Sequence, residues 1–336
     1  MQLRAALEMA KCMPNASNSG PPLLHAQSSE RKHTQHGVRC SYHQIGQIAS
    51  RKPIKHSNCP NTRAWTDVLL KETSSSSSVT VLSIGCNKGD DFVGQMKDWS
   101  GDERFSVQTY HKFMKQKFGT FSRRACTLSD ASNFKVPKRT IRGYCVEPMP
   151  NNYKLIETSM QSLKYLGPVT LIQAAISSVP GVSMFPNAET GTESLGLGHA
   201  APSGVALVLV NVTTIDEIVR AEKISSIEFL SIDTEGNDFR AILGGIRTLA
   251  AQMVRYLEFE YHAVGRWAAS DLQDLIDLLD QLGFDCYWAL NSGGLSRLTG
   301  CWHDSYYRDR FWSNIACVDR NLHQTHHKMN QLSGFA

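Results

Sequence analysis

Val79-Thr80-Val81-Leu82-Ser83-Ile84-Gly85-Cys86-Asn87-Lys88-Gly89-Asp90-Asp91 is the stretch that decides the fold. It begins as a short, mostly apolar and β-branched run, which favours a buried strand. The run then breaks into a Gly-x-x-x-Gly turn, and a polar helix start follows. Glycine has no Cβ, so a ligand can approach the backbone N–H groups of such a turn. Open α/β sheets bind their ligands at these carboxyl ends of strands.

The spacing of the glycines limits the ligands that this loop can bind. A dinucleotide fingerprint needs G-x-G-x-x-G, and Gly85-Cys86-Asn87 lacks its second glycine. A phosphate-binding P-loop is also excluded, because no G-K-[ST] follows. Taken alone, the loop is equally consistent with an ordinary strand–helix turn.

The net charge of +4 is unevenly distributed along the 336 residues. Residues 1–63 contain nine Lys or Arg and two Asp or Glu, whereas the remainder contains 26 and 29. The basic excess therefore belongs to the leader, which argues against a nucleic-acid surface on the folded body. No apolar run approaches the 18 residues of a membrane span.

The nine cysteines are too scattered to suggest a disulfide framework, and no C-x-x-C occurs. This pattern fits a reducing compartment. We expect a cytoplasmic protein, or an organellar one if the basic, acid-poor residues 1–63 are a transit peptide and not a disordered tail.

Composition predicts three parts of the chain. Residues 1–78 read as a basic leader that ends in the linker Ser74–Ser78, with a short helix near Trp65 that packs onto the domain. Residues 79–320 form the domain. Within this domain, residues 97–142 are predicted to be a partly helical insertion, which could be either a lid or a surface segment. Residues 321–336 are a His-rich tail, expected to be solvated.

Apolar runs that alternate with helix-periodic segments predict an α/β, doubly wound and mostly parallel sheet. The last two predicted strands have no good helix between them, so we expect an antiparallel strand at that edge. Residues 178–204 are rich in Gly, Pro and Ser and read as a loop. The predicted later strands are Tyr144–Glu147, Val169–Ala174, Val205–Val212, Ile227–Asp233, Val254–Phe259, Phe284–Leu290 and Phe311–Val318.

Polar residues follow several of these strands at what is predicted to be the same sheet edge. Glu147 follows the second strand, where a carboxylate suits ribose hydroxyls. Asp233 and Glu260 end two later strands. An NAD site would also use a carboxylate at this position to bind ribose hydroxyls, and only the missing glycine of the loop argues against NAD.

In order along the chain, these motifs resemble those of FkbM-type methyltransferases. They are Ile84–Asp90, Val146-Glu147-Pro148, Ala174–Ser177, Leu230–Gly236 and Phe259-Glu260-Tyr261. The resemblance covers about Val79–Leu290. It implies a class I, Rossmann-like fold, S-adenosyl-L-methionine as cofactor and, usually, O-methylation of a hydroxyl.

The resemblance also implies roles for individual residues. Gly85, Asn87 and Gly89 would face the methionine end of the cofactor, and Glu147 would hold the ribose. Ala174 and Ala175 would border the adenine, and Asp233 would lie beside the transferred methyl. Two features depart from the family. Ser83 stands where Asp is usual, and the insertion lengthens the interval between Gly89 and Glu147.

An alcohol acceptor needs its proton removed, and Asp233 and His262 are the candidate bases. Each has a structural alternative, a helix N-cap for Asp233 and a loop histidine for His262. Asp233 with Glu235 or Glu260 could instead hold Mg²⁺, which we do not favour.

Two other functions stay open. One is a catalytically silent S-adenosylmethionine-binding module. The other is a metal-dependent glycosyltransferase that uses Asp233-Thr234-Glu235. We expect a small-molecule, glycan or lipid hydroxyl acceptor and no nucleic acid. The sequence does not indicate the oligomeric state.

Overall fold

The computed structural model describes residues 39–41, 43–46, 57–119 and 136–335. An eight-stranded sheet runs through the molecule, and a three-stranded sheet lies beside it. The strands are β1 (Ser78–Ile84), β2 (Thr140–Val146), β3 (Val169–Ile172), β4 (Ala175–Ile176), β5 (Gly181–Asn187), β6 (Ala206–Thr213), β7 (Ile227–Ile232), β8 (Val254–Tyr261), β9 (Phe284–Ala289), β10 (Leu295–Arg297) and β11 (Ser313–Asp319).

Helices cover both faces of the large sheet. They are α1 (Arg63–Glu72), α2 (Asp90–Ser100), α3 (Val107–Phe118), α4 (Pro150–Ser162), α5 (Ile215–Ala221), α6 (Asp238–Leu243), α7 (Ile246–Ala250), α8 (Leu272–Gln281) and α9 (His323–Ser333). Two 3₁₀ turns, Gly265–Ala269 and Asp304–Arg308, complete the described elements. Helices α5 to α8 pack on one face, and α1 to α4 with α9 pack on the other.

The large sheet has the order β10-β9-β11-β8-β7-β1-β2-β3. Strands β3, β2, β1, β7 and β8 are mutually parallel. From β1 the sheet grows to one side through β2 and β3, and then to the other side through β7 and β8. The order therefore reverses between β1 and β7, and doubly wound sheets bind their ligands at such a switch point. The predicted mostly parallel, doubly wound fold is confirmed.

Strand β1 explains why the opening run of apolar residues is continuous. Leu82 and Ile84 belong to the core on one face of the sheet, and Val79 and Val81 to the core on the other. A strand covered on both faces needs apolar residues at successive positions, which is the pattern of buried parallel sheets.

The antiparallel strands lie at the expected side of the sheet. Strand β11 is antiparallel to both β8 and β9 and lies between them. Strand β10 pairs antiparallel with β9 and forms the edge. The predicted antiparallel edge is therefore confirmed. The final strand of the chain, β11, lies inside that edge, between β8 and β9.

The small sheet corrects the prediction of a loop over 178–204. Gly181–Asn187 forms β5, which pairs antiparallel with β6, and β6 pairs with the short β4. Glycine, proline and serine dominate the composition of this segment and hide its strand. Its alternating Val182 and Met184 point outward and are exposed.

Both ends of the described chain belong to the fold, which corrects two expectations. Helix α1 packs onto the domain as predicted and buries Trp65, but the preceding Ser57 is also buried and donates to the Ala289 carbonyl at 2.6 Å. At the other end, His323–Ser333 forms helix α9, where the sequence predicted a solvated tail. Its Met329 is fully buried, and the Glu72 carboxylate of α1 accepts the Thr325 N–H at 2.8 Å. The predicted disordered leader lies mostly in residues 1–38 and 47–56, outside the described residues.

The described part of the 97–142 insertion is packed against the domain. It contains the end of α2, then α3, and the start of β2. Tyr110 of α3 is fully buried and donates to the Lys88 carbonyl at 2.8 Å. Residues 120–135, where a lid remains a prediction, lie outside the described residues.

Three cysteine pairs between described residues correct the expectation of scattered thiols. They are Cys40–Cys301, Cys86–Cys145 and Cys286–Cys317. The partners lie between 31 and 261 residues apart in sequence, so spacing alone does not reveal them. Cys86–Cys145 joins the loop after β1 to β2, and Cys286–Cys317 joins β9 to β11. In both pairs, the sheet brings the two cysteines together. The cysteine pattern therefore no longer supports a reducing compartment.

Within the described residues, every helix is too short or too polar to cross a membrane.

Candidate active site

The glycine loop after β1 lies against the end of β7. Gly85 has a φ of 84°, and a Cβ at this position would stand 1.6 Å from the carbonyl oxygen of Asp233. The Gly85 N–H donates to the Val146 carbonyl of β2 at 2.9 Å. Glycine is thus required, because only a residue without a side chain lets the ends of β1, β2 and β7 meet.

Gly89 lies apart from the other glycine of the motif. It is absent from the described lining of the cleft that the loop forms. It precedes α2 with a φ of 80°, and a Cβ there would meet the Tyr110 hydroxyl at 2.7 Å. Its position favours a packing role beneath the loop. Its predicted contact with a cofactor has no support in this geometry.

The cleft, here named the glycine-loop cleft, holds about 570 Å³ of space that includes open solvent. Gly85, Asn87, Glu147, Ala174, Ala175 and Asp233 all line it, so the fold brings together six of the seven predicted cofactor residues. Apolar side chains complete the far end, notably Met149 and Phe185, both buried.

Glu147 is buried at the centre of the glycine-loop cleft. Its carboxylate accepts the Asn87 N–H at 2.8 Å and the Met149 N–H at 2.9 Å. Burial raises its pKa to about 7, although these two N–H donors favour the ionised form. Each carboxylate oxygen has a second lone pair, so Glu147 can accept further bonds from a ligand.

A loop that the sequence analysis did not connect with the site covers the glycine-loop cleft. Thr192 and Leu195 line the cleft, and the Thr192 carbonyl accepts bonds from both Asn87 and Asn152 at 3.2 Å. Gly196 lies so close to β7 that a Cβ would meet the Glu235 carbonyl at 2.5 Å. The run of glycines between 191 and 198 was the available signal for this close packing.

A second depression, here named the acidic basin, opens on the other side of Asp233 and holds about 1940 Å³ including open solvent. Among its described lining residues the one Lys or Arg is Arg63, which pairs with Asp98 at 3.0 Å. Trp312 stands at the rim, about two-fifths exposed. The acidic residues that line the basin are Asp90, Asp91, Asp98, Glu193, Asp233, Glu235, Glu258 and Glu260.

Asp233 lines both the cleft and the basin. It does not cap the following helix, whose N-cap position is Asn237 and which has no side-chain cap. The Asp238 carboxylate instead accepts the N–H groups of Thr234 and Gly236 in the preceding turn, both at 3.1 Å. Its Oδ1 is buried and has no hydrogen-bond partner within the described residues. Burial, together with the nearby Glu260, raises the pKa of Asp233 well above its usual range. A carboxylate with a raised pKa is a stronger base.

His262 lies behind Glu260 and lines neither the cleft nor the basin within the described residues. Its Nδ1 accepts the Val264 N–H at 3.1 Å, so the neutral ring carries its proton on Nε2. Burial lowers its pKa, which also favours the neutral ring. This arrangement fits a donor that orients Glu260 better than it fits a base that contacts an acceptor.

Comparison with known proteins identifies the family. The sheet order and the ligand cleft at the switch point define a class I, Rossmann-like methyltransferase fold. The family described as Methyltransferase FkbM domain matches residues 114–286, just over half of the chain. The chain belongs to the FkbM methyltransferase family.

Solved structures add only weak likenesses. One is precorrin 8W decarboxylase from Methanobacterium thermoautotrophicum, with 12% identity, 75% of this chain and 86% of that chain covered, and a TM-score of 0.30. Another is a putative O-methyltransferase from Klebsiella pneumoniae, with 8% identity, 82% and 86% covered, and a TM-score of 0.30. No curated protein matches the chain in sequence. We draw nothing further from likenesses of this size.

Ser83, the family position that usually holds Asp, lines the acidic basin and not the glycine-loop cleft. The departure therefore changes the basin side of the site. The predicted cofactor residues other than Gly89 line the cleft.

Proposed function

We propose that the protein transfers a methyl group from S-adenosyl-L-methionine to a hydroxyl oxygen of an acceptor in the acidic basin. The observation that carries the proposal is the position of Asp233, which lines both the glycine-loop cleft and a second, larger depression. A transferase needs two such sites that meet at one reacting position.

The described residues fit the cofactor. Glu147 has spare lone pairs at the centre of the cleft for two ribose hydroxyls, and Ala174 and Ala175 leave room for a flat base near Phe185. Asn87 offers a buried Oδ1 that has no partner within the described residues. Such an orphaned acceptor fits the ammonium group at the methionine end. When bound, S-adenosylmethionine supplies a methyl group activated by its positive sulfonium.

The chain's own residues would position and deprotonate the acceptor. Asp233 accepts the proton of the acceptor hydroxyl as the new C–O bond forms, and the C–S bond breaks to leave a neutral thioether. The many carboxylates of the basin accept hydrogen bonds, so they favour an acceptor rich in hydroxyl groups, such as a glycan or polyol. The covering loop that contains Thr192 would limit access of water to the cleft.

Transfer of labelled methyl tests the proposal. The full chain is incubated with S-adenosylmethionine labelled in its methyl group and with fractions of cell extract, and the labelled product is purified. We expect a label that survives mild alkali, as an ether does and an ester does not. Label on nitrogen, carbon or a carboxylate ester would contradict O-methylation of a hydroxyl. Cofactor binding with no transfer to any fraction would favour the silent module.

A further inference from the structure

The acidic corner of the basin contains more carboxylates than the described residues neutralise. One ligand atom each from Glu235, Glu260 and His262 lies within 4.8 Å of the others. Asp233 adjoins this group and interacts directly with Glu260. None of these carboxylates forms a salt bridge with Lys or Arg among the described residues.

Two buried polar atoms at the corner have no hydrogen-bond partner within the described residues. His262 is 6% exposed, and its Nε2 lies 3.8 Å from Glu260 Oε2, too far for a hydrogen bond. Asp233 Oδ1 is also buried and unpartnered within the described residues. Buried polar atoms are rarely left unsatisfied, because each costs about 1–3 kcal/mol. The two atoms indicate that the corner takes a ligand.

The geometry points to a divalent cation with oxygen ligands, Mg²⁺ or Mn²⁺, bound by Glu235 and Glu260, whose carboxylates each offer an oxygen within 4.8 Å of the other. Carboxylate oxygens are the ligands that these ions prefer. His262 is not a ligand in this arrangement, since its Nδ1 accepts the Val264 N–H and its Nε2 therefore carries a proton. It would donate that proton to Glu260 and hold the carboxylate in place.

The carboxylates are already held by partners outside the corner. Glu260 Oε1 accepts the Trp312 Nε1–H at 2.6 Å, and Glu235 Oε1 accepts the Ser194 N–H at 3.0 Å. Each side chain therefore has one oxygen fixed by the protein. Fixed outer partners of this kind are what tune metal-binding carboxylates.

The role of the ion rests on the proposed function. The corner lies on the basin side of Asp233, so a bound cation would contact the acceptor hydroxyl and stabilise its oxygen as the proton leaves. Asp233, beside Glu260, would remain the residue nearest the transferred proton. Cation binding itself needs neither cofactor nor acceptor, and it can be tested without them.

Manganese binding to the full-length, metal-stripped chain tests the site. Free Mn²⁺ is followed by electron paramagnetic resonance, with no cofactor or acceptor present. We expect one Mn²⁺ per chain, displaced by excess Mg²⁺. Glu260→Gln and Glu235→Gln should each weaken binding by roughly tenfold or more, because ligand charge sets affinity. His262→Ala should weaken it by about tenfold, as outer-shell losses do.

Glu258→Gln is the matched control. Glu258 lies two residues earlier on β8 and also lines the basin, but its Oε1 accepts the Tyr256 hydroxyl at 2.5 Å and it is outside the corner. Its change should leave Mn²⁺ affinity within about twofold. Melting curves check that each variant folds, and Glu235→Gln, on a half-buried residue, serves if Glu260→Gln does not fold.

Three results would overturn the site. They are no Mn²⁺ binding by the wild type, an equal loss in Glu258→Gln and Glu260→Gln, and a preference for Zn²⁺ with His262→Ala as damaging as Glu260→Gln. The second would indicate diffuse charge, and the third a histidine ligand. A titration with S-adenosylhomocysteine on the same protein separates this outcome from the proposed function. Mn²⁺ binding without S-adenosylhomocysteine binding would preserve the cation site and remove the cofactor assignment.

Discussion

Glu147 and Glu260 are two buried acids at the same sheet edge, and they differ in their partners. Glu147 accepts two backbone N–H groups. Glu260 accepts one indole N–H and otherwise faces Asp233, Glu235 and the unpartnered nitrogen of His262. Burial raises the pKa of both, to about 7 and about 8 respectively.

The difference shows what each side of the site requires. In the glycine-loop cleft the protein supplies two N–H donors to Glu147, so this carboxylate can accept hydroxyl groups of a ligand with its remaining lone pairs. The acidic corner is not satisfied by described residues, so it needs protons or a cation from outside. Asp233 stands at the boundary between the two regions.

Asp233→Asn should have the largest effect on the reaction. It removes the base while keeping the shape of the boundary, so kcat should fall by about 10²–10⁴-fold. The dissociation constant for S-adenosylhomocysteine should change by no more than about threefold, because asparagine keeps the size of the side chain where Asp233 lines the cleft. Single-turnover transfer of labelled methyl to an identified acceptor measures the first quantity, and calorimetry the second. A kcat within a few-fold of wild type would make Asp233 structural.

Glu147→Ala should affect the glycine-loop cleft. Loss of two charge-assisted bonds to ribose should weaken S-adenosylhomocysteine binding by roughly 10²-fold, at about 1.5–3 kcal/mol for each bond. The melting temperature should fall as well, because the Asn87 and Met149 N–H groups lose their acceptor.

Glu228→Ala separates the two effects of the Glu147 change. The Glu228 carboxylate is also buried and accepts a backbone N–H, that of Thr80 at 2.6 Å, but it lies away from the cleft. Its loss should lower the melting temperature and leave the affinity unchanged. If both variants lowered stability and neither changed affinity, Glu147 would be a structural residue and the ribose assignment would be wrong.

The pH dependence of stability gives the smallest effect. Burial raises the pKa of Glu147 from near 4.5 to about 7. A carboxyl group of this kind stabilises the fold fully below its unfolded pKa, and that contribution is lost as the pH rises through the folded value. The free energy of unfolding of the wild type, relative to Glu147→Gln, should therefore fall by roughly 1–3 kcal/mol between pH 5 and pH 8. Urea unfolding of the ligand-free proteins at four pH values measures it. A difference that stayed flat or rose would show that the two N–H donors outweigh burial.

Sequence reasoning predicted the residues at the strand ends. Gly85, Glu147 and Asp233 each follow a continuous apolar run, and such a run specifies a buried parallel strand whose carboxyl end is shared with its neighbours. The cleft therefore follows from local patterns alone. The family resemblance added the roles of these residues, which stay predictions, and the structure brings six of the seven predicted cofactor residues to one cleft.

The parts that were missed depend on contacts between segments distant in sequence. Nothing in the composition of 178–204 separates the strand β5 from the loop that covers the cleft. The tail was read from its polar composition, whereas helix α9 is stabilised by the single buried face that includes Met329 and by Glu72 of α1. The orientation of His262 depends on its bond with the Val264 N–H, which no spacing encodes.

Calorimetric titration of the wild-type chain tests most directly whether the glycine-loop cleft is an S-adenosylmethionine site. S-adenosylhomocysteine and a nucleotide-sugar are titrated in parallel, each with and without Mn²⁺. We predict that S-adenosylhomocysteine binds at one site under both conditions and that the nucleotide-sugar produces no binding heat. Binding of the nucleotide-sugar in the presence of Mn²⁺, with none of S-adenosylhomocysteine, would contradict the account and favour a metal-dependent glycosyltransferase.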